Sequence, residues 1–187
     1  MRKLILCMHV SVDGFVAGPN GEMDWIHVDD EIFDYAGYMT DDADTALYGR
    51  VTYQMMDNYW PTAADNPNAS KHDIQHSTWY NSVEKVVFSK TLSESKLNNI
   101  RIISDDINDE IQKIKNRNGK NILMFGSATA AHSLMQYNLI DEYWLFVNPV
   151  LLGEGIPLFK NVNDKIALKL GEARAFASGV VGLNYKK

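Results

Sequence analysis

One cysteine among 187 residues leaves no partner for an internal disulfide. That scarcity suits a reducing compartment. Cys7 lies inside an apolar run and reads as a small buried hydrophobe, since an activated thiol needs an accessible, electropositive setting. A long apolar run is missing too: no segment approaches the roughly 20 residues of a membrane span. The opening stretch MRKLILCMHVSVDGF sets Arg2 and Lys3 before an apolar run, as a secretory leader does. The run is short, lacks a small-residue cleavage site and stops at Asp13-Gly14 as a turn would. It reads as a strand, and the expected address is the cytoplasm. A surplus of positive charge is also lacking. The net charge of −6 argues against general affinity for nucleic acid or anionic membranes, while leaving room for a local basic pocket. Repeats, low-complexity tracts and composition shifts are absent, so one domain over residues 1–187 is expected.

What is present is a soluble globular composition, 45% hydrophobic and 22% charged. Residues 3–10 (KLILCMHV) predict a buried strand. In DDEIFDYAGYM, Ile32, Ala36 and Met39 follow helical spacing behind an acidic first turn. Residues 45–48 predict a strand and 50–57 the start of a helix; EKVVFS (84–89) and IRIIS (100–104) predict strands. Ile107, Ile111 and Ile114 share one helical face that ends at Asn118-Gly119. NILMFG (121–126) predicts a strand and leads into a helix with Ala131, Leu134 and Met135 inward. Residues 141–152 predict a strand, and the tail a hairpin turning at Ser178-Gly179. Early strand–helix alternation implies parallel pairs, and the hairpin adds antiparallel ones, so the sheet is mixed, with about eight strands. Residues 61–82, rich in Pro, Asn, Ser and Asp, predict a loop.

Three polar clusters fall at strand ends, where open sheets of this kind bind ligands. Gly126, Ser127, Ala128 and Thr129 lead into a helix, whose N–H groups and dipole favour an anion. Gly49, Arg50 and Thr52 offer a guanidinium fork for phosphate oxygens. Ser89 and Lys90 add a hydroxyl and a point charge. Together they suit a dinucleotide carrying a pyrophosphate and a separate 2′-phosphate, NADPH rather than NADH. Each also has a plainer reading, as strand end, helix cap or surface loop. The Gly-x-Gly-x-x-Gly fingerprint is absent, which disfavours a Rossmann domain.

The set SVDGFVAGPNGEMDW, YGRVTY, VVFSKTL and ILMFGSATAAHSLMQYNLIDEYWLFVNPVLLGEGIPLF, with the closing hairpin, resembles the dihydrofolate reductase-like superfamily. It is most similar there to the reductase domain of bifunctional riboflavin-biosynthesis enzymes. The resemblance implies a three-layer α/β/α fold, a homodimer, and an NADPH-dependent reductase of a small pyrimidine- or pterin-like heterocycle. By it, Arg50, Thr52, Ser89 and Lys90 face the 2′-phosphate side of the cofactor, and Gly126 to Thr129 hold the pyrophosphate. Val16, Ala17 and the segment to Asp24 match a loop over the nicotinamide, with Pro19-Asn20-Gly21 as a turn that suits a lid. One departure stands out, because dihydrofolate reductases have paired glycines where this chain has Gly126-Ser127.

Trp25, Tyr59 and Trp60 offer flat surfaces for a ring substrate, or core packing. Candidate acids are Asp30, near the pterin-binding carboxylate of dihydrofolate reductases, and Asp13 in its Ser-x-Asp-Gly stretch. Asp24 and Asp29 are further candidate acids, Asp29 also as a substrate contact, and Asp29 or Asp30 serves equally well as a helix N-cap. His72 and His76 are spaced to share a helical face, but a third metal ligand is not evident and no metal is expected. A true dihydrofolate reductase and a non-catalytic nucleotide-binding module on the same fold stand as alternatives.

Overall fold

Alternation along the first strand fixes the layering. In β1 (Leu4–Ser11), Leu4, Leu6, Met8 and Val10 pack into one buried cluster, while Ile5 and Cys7 pack into another on the opposite face. Strand side chains alternate with period two, so a strand covered by helices on both faces is apolar throughout. The computed structural model describes residues 1–92, 99–160, 162 and 164–187.

Helices and strands then alternate. The short β2 (Phe15–Ala17) precedes α1 (Asp30–Asp41), β3 (Ala43–Gly49) and α2 (Arg50–Asp57). A 3-10 segment (Trp60–Asp65) and α3 (Lys71–Ser82) lead to β4 (Glu84–Phe88) and β5 (Ile100–Ile103). Next come α4 (Ile107–Lys115), β6 (Asn121–Phe125), α5 (Ala128–Gln136) and β7 (Glu142–Asn148). A two-residue β8 (Ile156–Pro157) pairs with β2, and β9 (Lys169–Ala175) with β10 (Val181–Lys186) forms the closing hairpin. The main sheet has eight strands in the order β5-β4-β3-β6-β1-β7-β10-β9. Pairing is parallel from β5 through β7 and antiparallel through β10 and β9. Helices α4 and α5 cover one face with aliphatic side chains; α1, α2 and α3 cover the other, where Tyr48, Tyr80, Trp79 and Phe146 join the core. This is a three-layer α/β/α fold.

The sequence expectation fails for residues 61–82. Most of that segment is ordered as helix, and α3 has a complete capping box: Ser70 Oγ accepts from the Asp73 N–H at 3.1 Å, and Asp73 accepts from the Ser70 N–H at 2.9 Å. Its inward side chains are Ser77, Trp79 and Tyr80, so polar and imidazole residues mask the helical period. The strand expected over 141–152 ends at Asn148, and residues 149–152 continue outside any helix or strand.

Charged pairs gather at the amino-terminal ends of the strands. Buried Lys115 meets Asp141 at 2.6 Å, Arg2 meets Asp44, and Lys3 meets Glu142 at 2.6 Å. The carboxyl ends are organised differently.

A cleft at the carboxyl ends of the strands

Strand register brings the polar clusters level with one another. Gly49 lies opposite Phe88, so Arg50 and Ser89 follow side by side. Leu47 lies opposite Met124, and Cys7 opposite Phe125, which places Gly126 beside the end of β3. Two helices therefore start next to each other, α2 after Gly49 and α5 after Ser127, and neither N-cap residue makes a side-chain capping bond. The first N–H groups of each helix lack intrahelical acceptors, and the two dipoles add there.

Backbone geometry keeps this corner tight. Gly126 has φ +65°, and a Cβ on it would lie 3.2 Å from Thr52 Cγ2. A Cβ on Gly49 would collide with the Ser127 hydroxyl. Ser127 itself sits in the left-handed region at φ +68°, where glycine is at ease and serine is strained. The departure from paired glycines thus keeps the backbone shape at an energetic cost.

This corner opens into a cleft of ≈ 1180 Å³. Val16, Ala17, Thr52 and residues 126–129 line one part of it. The other part is an aromatic and imidazole wall. His72 stacks on Phe33 with centroids 3.6 Å apart, and His76 lies 4.1 Å from Trp60 and 5.5 Å from Phe125. Burial drives the His76 imidazole down to about 3, helped by the neighbouring His72, whose own value is lowered by burial as well. His9 reaches the same cleft from β1, with its value lowered to about 4 by burial. Its tautomer follows from Asn148. The Asn148 Oδ1 accepts the His27 N–H at 2.8 Å, so Nδ2 is the donor, and it lies 3.2 Å from His9 Nδ1. Nδ1 therefore accepts, and Nε2 carries the ring's proton.

Several candidate residues lie elsewhere. Asp13 accepts from the Ser11 hydroxyl and from the Leu152 and Gly153 N–H groups, which hold it below the usual carboxylate range. It fastens the turn after β1 to the loop after β7 and is outside the cleft lining. Asp29 caps α1 by accepting from the Ile32 N–H at 2.9 Å, and Asp30 is exposed on the first turn; neither lines the cleft. Trp25 donates to the Glu22 carbonyl, and exposed Tyr59 donates to Asp73. Trp60 backs the wall through its contact with His76. Arg50 is exposed and bonded to Gln54 at 3.0 Å; buried Ser89 caps the following turn by accepting from the Thr91 and Leu92 N–H groups. Lys90 meets Asp105 loosely at 3.8 Å. Arg50, Ser89 and Lys90 form a rim beside the α2 and α5 N-termini.

Sequence reasoning missed His9, Phe33, Trp79 and Phe125, and it read His72 and His76 only as metal ligands. Period two along β1 puts His9 on the face of Ile5 and Cys7 at the ligand end of the sheet, a signal that was legible. Cys7 lines the cleft, with burial pushing its thiol up to about 12. Among the described residues no metal-binding cluster of His, Cys, Asp and Glu occurs, and no helix is long and apolar enough to cross a membrane.

The family model of the RibD C-terminal domain matches residues 2–182. The uncharacterized protein YyaP of Bacillus subtilis (strain 168) is 37% identical over 186 residues, which cover 98% of this chain and 94% of that protein. A crystal structure of a candidate riboflavin biosynthesis protein from Shewanella sp. PV-4 is similar over 100% of this chain and 98% of its own, with TM-score 0.73 and 20% identity. The diaminohydroxyphosphoribosylaminopyrimidine deaminase/5-amino-6-(5-phosphoribosylamino)uracil reductase of Thermotoga maritima aligns with TM-score 0.67 and 12% identity. It is matched over 99% of this chain and 56% of its own. At such identities the structural likeness concerns the fold.

Proposed function

The chain belongs to the RibD C-terminal domain family, and from that premise we propose that it is an NADPH-dependent reductase of a planar nitrogen heterocycle of the pyrimidine or pterin kind. The observation that carries this reading is the junction in one cleft of two uncapped helix N-termini with a wall of aromatic and neutral imidazole rings. Gly126, at φ +65° and packed on Thr52, keeps the two helix starts close together, and their free N–H groups suit a pyrophosphate. Residues 126–129 and Thr52 would hold that group, the Arg50, Ser89 and Lys90 rim would meet a 2′-phosphate, and Val16 and Ala17 would border the nicotinamide. The chemistry supplied when such a cofactor is bound is hydride transfer.

The protein's own part is orientation. Phe33, His72, His76, Trp79 and Phe125 line the cleft and offer flat faces to a ring. His9 Nε2–H offers a hydrogen bond to a carbonyl or ring nitrogen. It stays neutral, so it polarises the substrate and does not act as a strong acid. Self-association would use β9. Strand β7, with its YWLFV segment, lies between β1 and β10 inside the sheet, whereas every residue of β9 is exposed at the open edge.

A thermal-shift titration with NADPH and NADH on wild type and Arg50→Ala tests the cofactor. Saturation at about a hundred times Kd stabilises by roughly 2.7 kcal/mol, a rise of about 5 to 10 °C. The expected result is a clear shift with NADPH, a smaller one with NADH, and loss of the NADPH preference in the variant. No shift with either cofactor would favour a binding module that does no reduction.

A further inference from the structure

We infer that the ring substrate of this cleft is uncharged and carries no phosphate, unlike the phosphoribosylated pyrimidine in the name of the Thermotoga maritima protein; this rests on the reductase reading above.

The argument is an inventory of charge. Among the described residues lining the cleft, Lys71 is the single lysine or arginine, and its ammonium already lies 2.9 Å from Asp34. A second carboxylate, Asp41, also borders the cleft. The three imidazoles that face it, His9, His72 and His76, are all held neutral by burial at physiological pH. The side-chain charge around the wall is therefore negative.

Helix ends give the same answer. Phosphate binds without lysine or arginine where a helix N-terminus offers its N–H groups. The wall is built by α1 and α3, and both N-termini are already occupied. Asp29 caps α1, and Asp30 and Glu31 fill its first turn. Ser70 and Asp73 close the capping box of α3. The uncapped helix starts are those of α2 and α5, at the opposite part of the cleft, where the cofactor is placed. A substrate phosphate would lie beside carboxylates, with no donor array to replace its water.

The wall instead rewards flat apolar surface. Met55, Met56 and Ile74 flank the stacked rings, and such surfaces hold a heteroaromatic ring through dispersion and burial. The polar anchors are neutral imidazole edges, which match carbonyl and ring-nitrogen groups.

The test uses two pairs of probes that differ only in a phosphate: 5-amino-6-(ribosylamino)uracil with its 5′-phosphate, and riboflavin with flavin mononucleotide. Binding to the full chain is read by quenching of tryptophan fluorescence, which needs no turnover. The NADPH thermal shift is measured on the same samples. The expected result is at least tenfold tighter binding of the unphosphorylated member in one or both pairs. The gap should narrow in Asp34→Asn/Asp41→Asn and at high salt. Equal or tighter binding of the phosphorylated member in both pairs, or binding of none of the four, would overturn the inference. A normal NADPH shift beside that outcome would leave the reductase reading standing. Ring selectivity without any NADPH shift would do the reverse.

Discussion

The two ends of the sheet handle charge in opposite ways. At the amino ends, three cations have carboxylate partners, Lys115 with Asp141, Arg2 with Asp44 and Lys3 with Glu142, while buried Lys85 rests on the Tyr80 ring. Lys115 also donates to the Leu139 carbonyl at 3.0 Å, and Asp141 accepts the Leu4 N–H at 2.7 Å, so the pair is tied into the backbone. At the carboxyl ends, two helix N-termini lack side-chain caps, Arg50 has a glutamine as its partner, and Lys90 holds its carboxylate at 3.8 Å. Matched charge holds a structure together; unmatched positive potential is what an anionic ligand finds.

Asp141→Ala should give the largest effect. It leaves a buried ammonium unpaired, for which a loss of about 3 to 5 kcal/mol is expected, with a clear fall in the urea midpoint. Arg50→Ala, at the other end, should stay within about 0.5 kcal/mol of wild type in the same assay while weakening NADPH binding. Comparable losses for both would erase the distinction between the ends.

Acid should act next, and through the cleft. Unfolded imidazoles titrate near 6.5, whereas His9 and His76 are held near 4 and 3 in the fold. Below 6.5 the unfolded chain binds protons that the fold refuses, so stability falls as pH drops towards 4 and is unaffected above neutrality. Between pH 7 and 5 the expected loss is about 2 kcal/mol, below the ideal linkage figure because both rings still touch solvent. His76→Phe should flatten that slope; an unchanged slope would mean the rings are protonated in place.

A smaller effect probes the corner between Gly49 and Ser127. Gly49→Ala drives a methyl into the Ser127 hydroxyl and should cost about 1 to 3 kcal/mol. Ser127→Gly removes that obstacle and relieves the positive φ, so the double variant should recover most of the loss, a coupling that a double-mutant cycle reads directly.

Much of the framework was legible in the chain. The apolar run at 3–10, the Ile107/Ile111/Ile114 stripe and the hairpin at Ser178-Gly179 each carry their own period or turn signal, and the structure follows them within a residue at the first strand. The corner at Gly49, Gly126 and Thr129 was legible for the same reason, because glycine and short polar residues at strand ends mark helix starts. The wall was not. Its helix α3 follows Pro67, Asn68 and Ser70, and its rings are two histidines that hydropathy counts as polar, so only the Ser70–Asp73 box betrayed it. The carboxylates are ambiguous in a similar way: in sequence Asp29 and Asp13 read equally as substrate ligands or as cap and turn residues, and in the fold Asp29 accepts the Ile32 N–H and Asp13 the Gly153 N–H.

By itself the sequence determined the alternation of strands and helices, the polar strand ends and the acidic net charge of the molecule, because these depend on residue type and spacing along the chain. Only the tertiary structure decided which helices meet at the cleft, which histidines are stripped of water and which carboxylates are already spent as caps. Those depend on register and on contacts between residues far apart in the chain, such as His9 with Asn148 and Gly49 with Ser127, that no local pattern encodes.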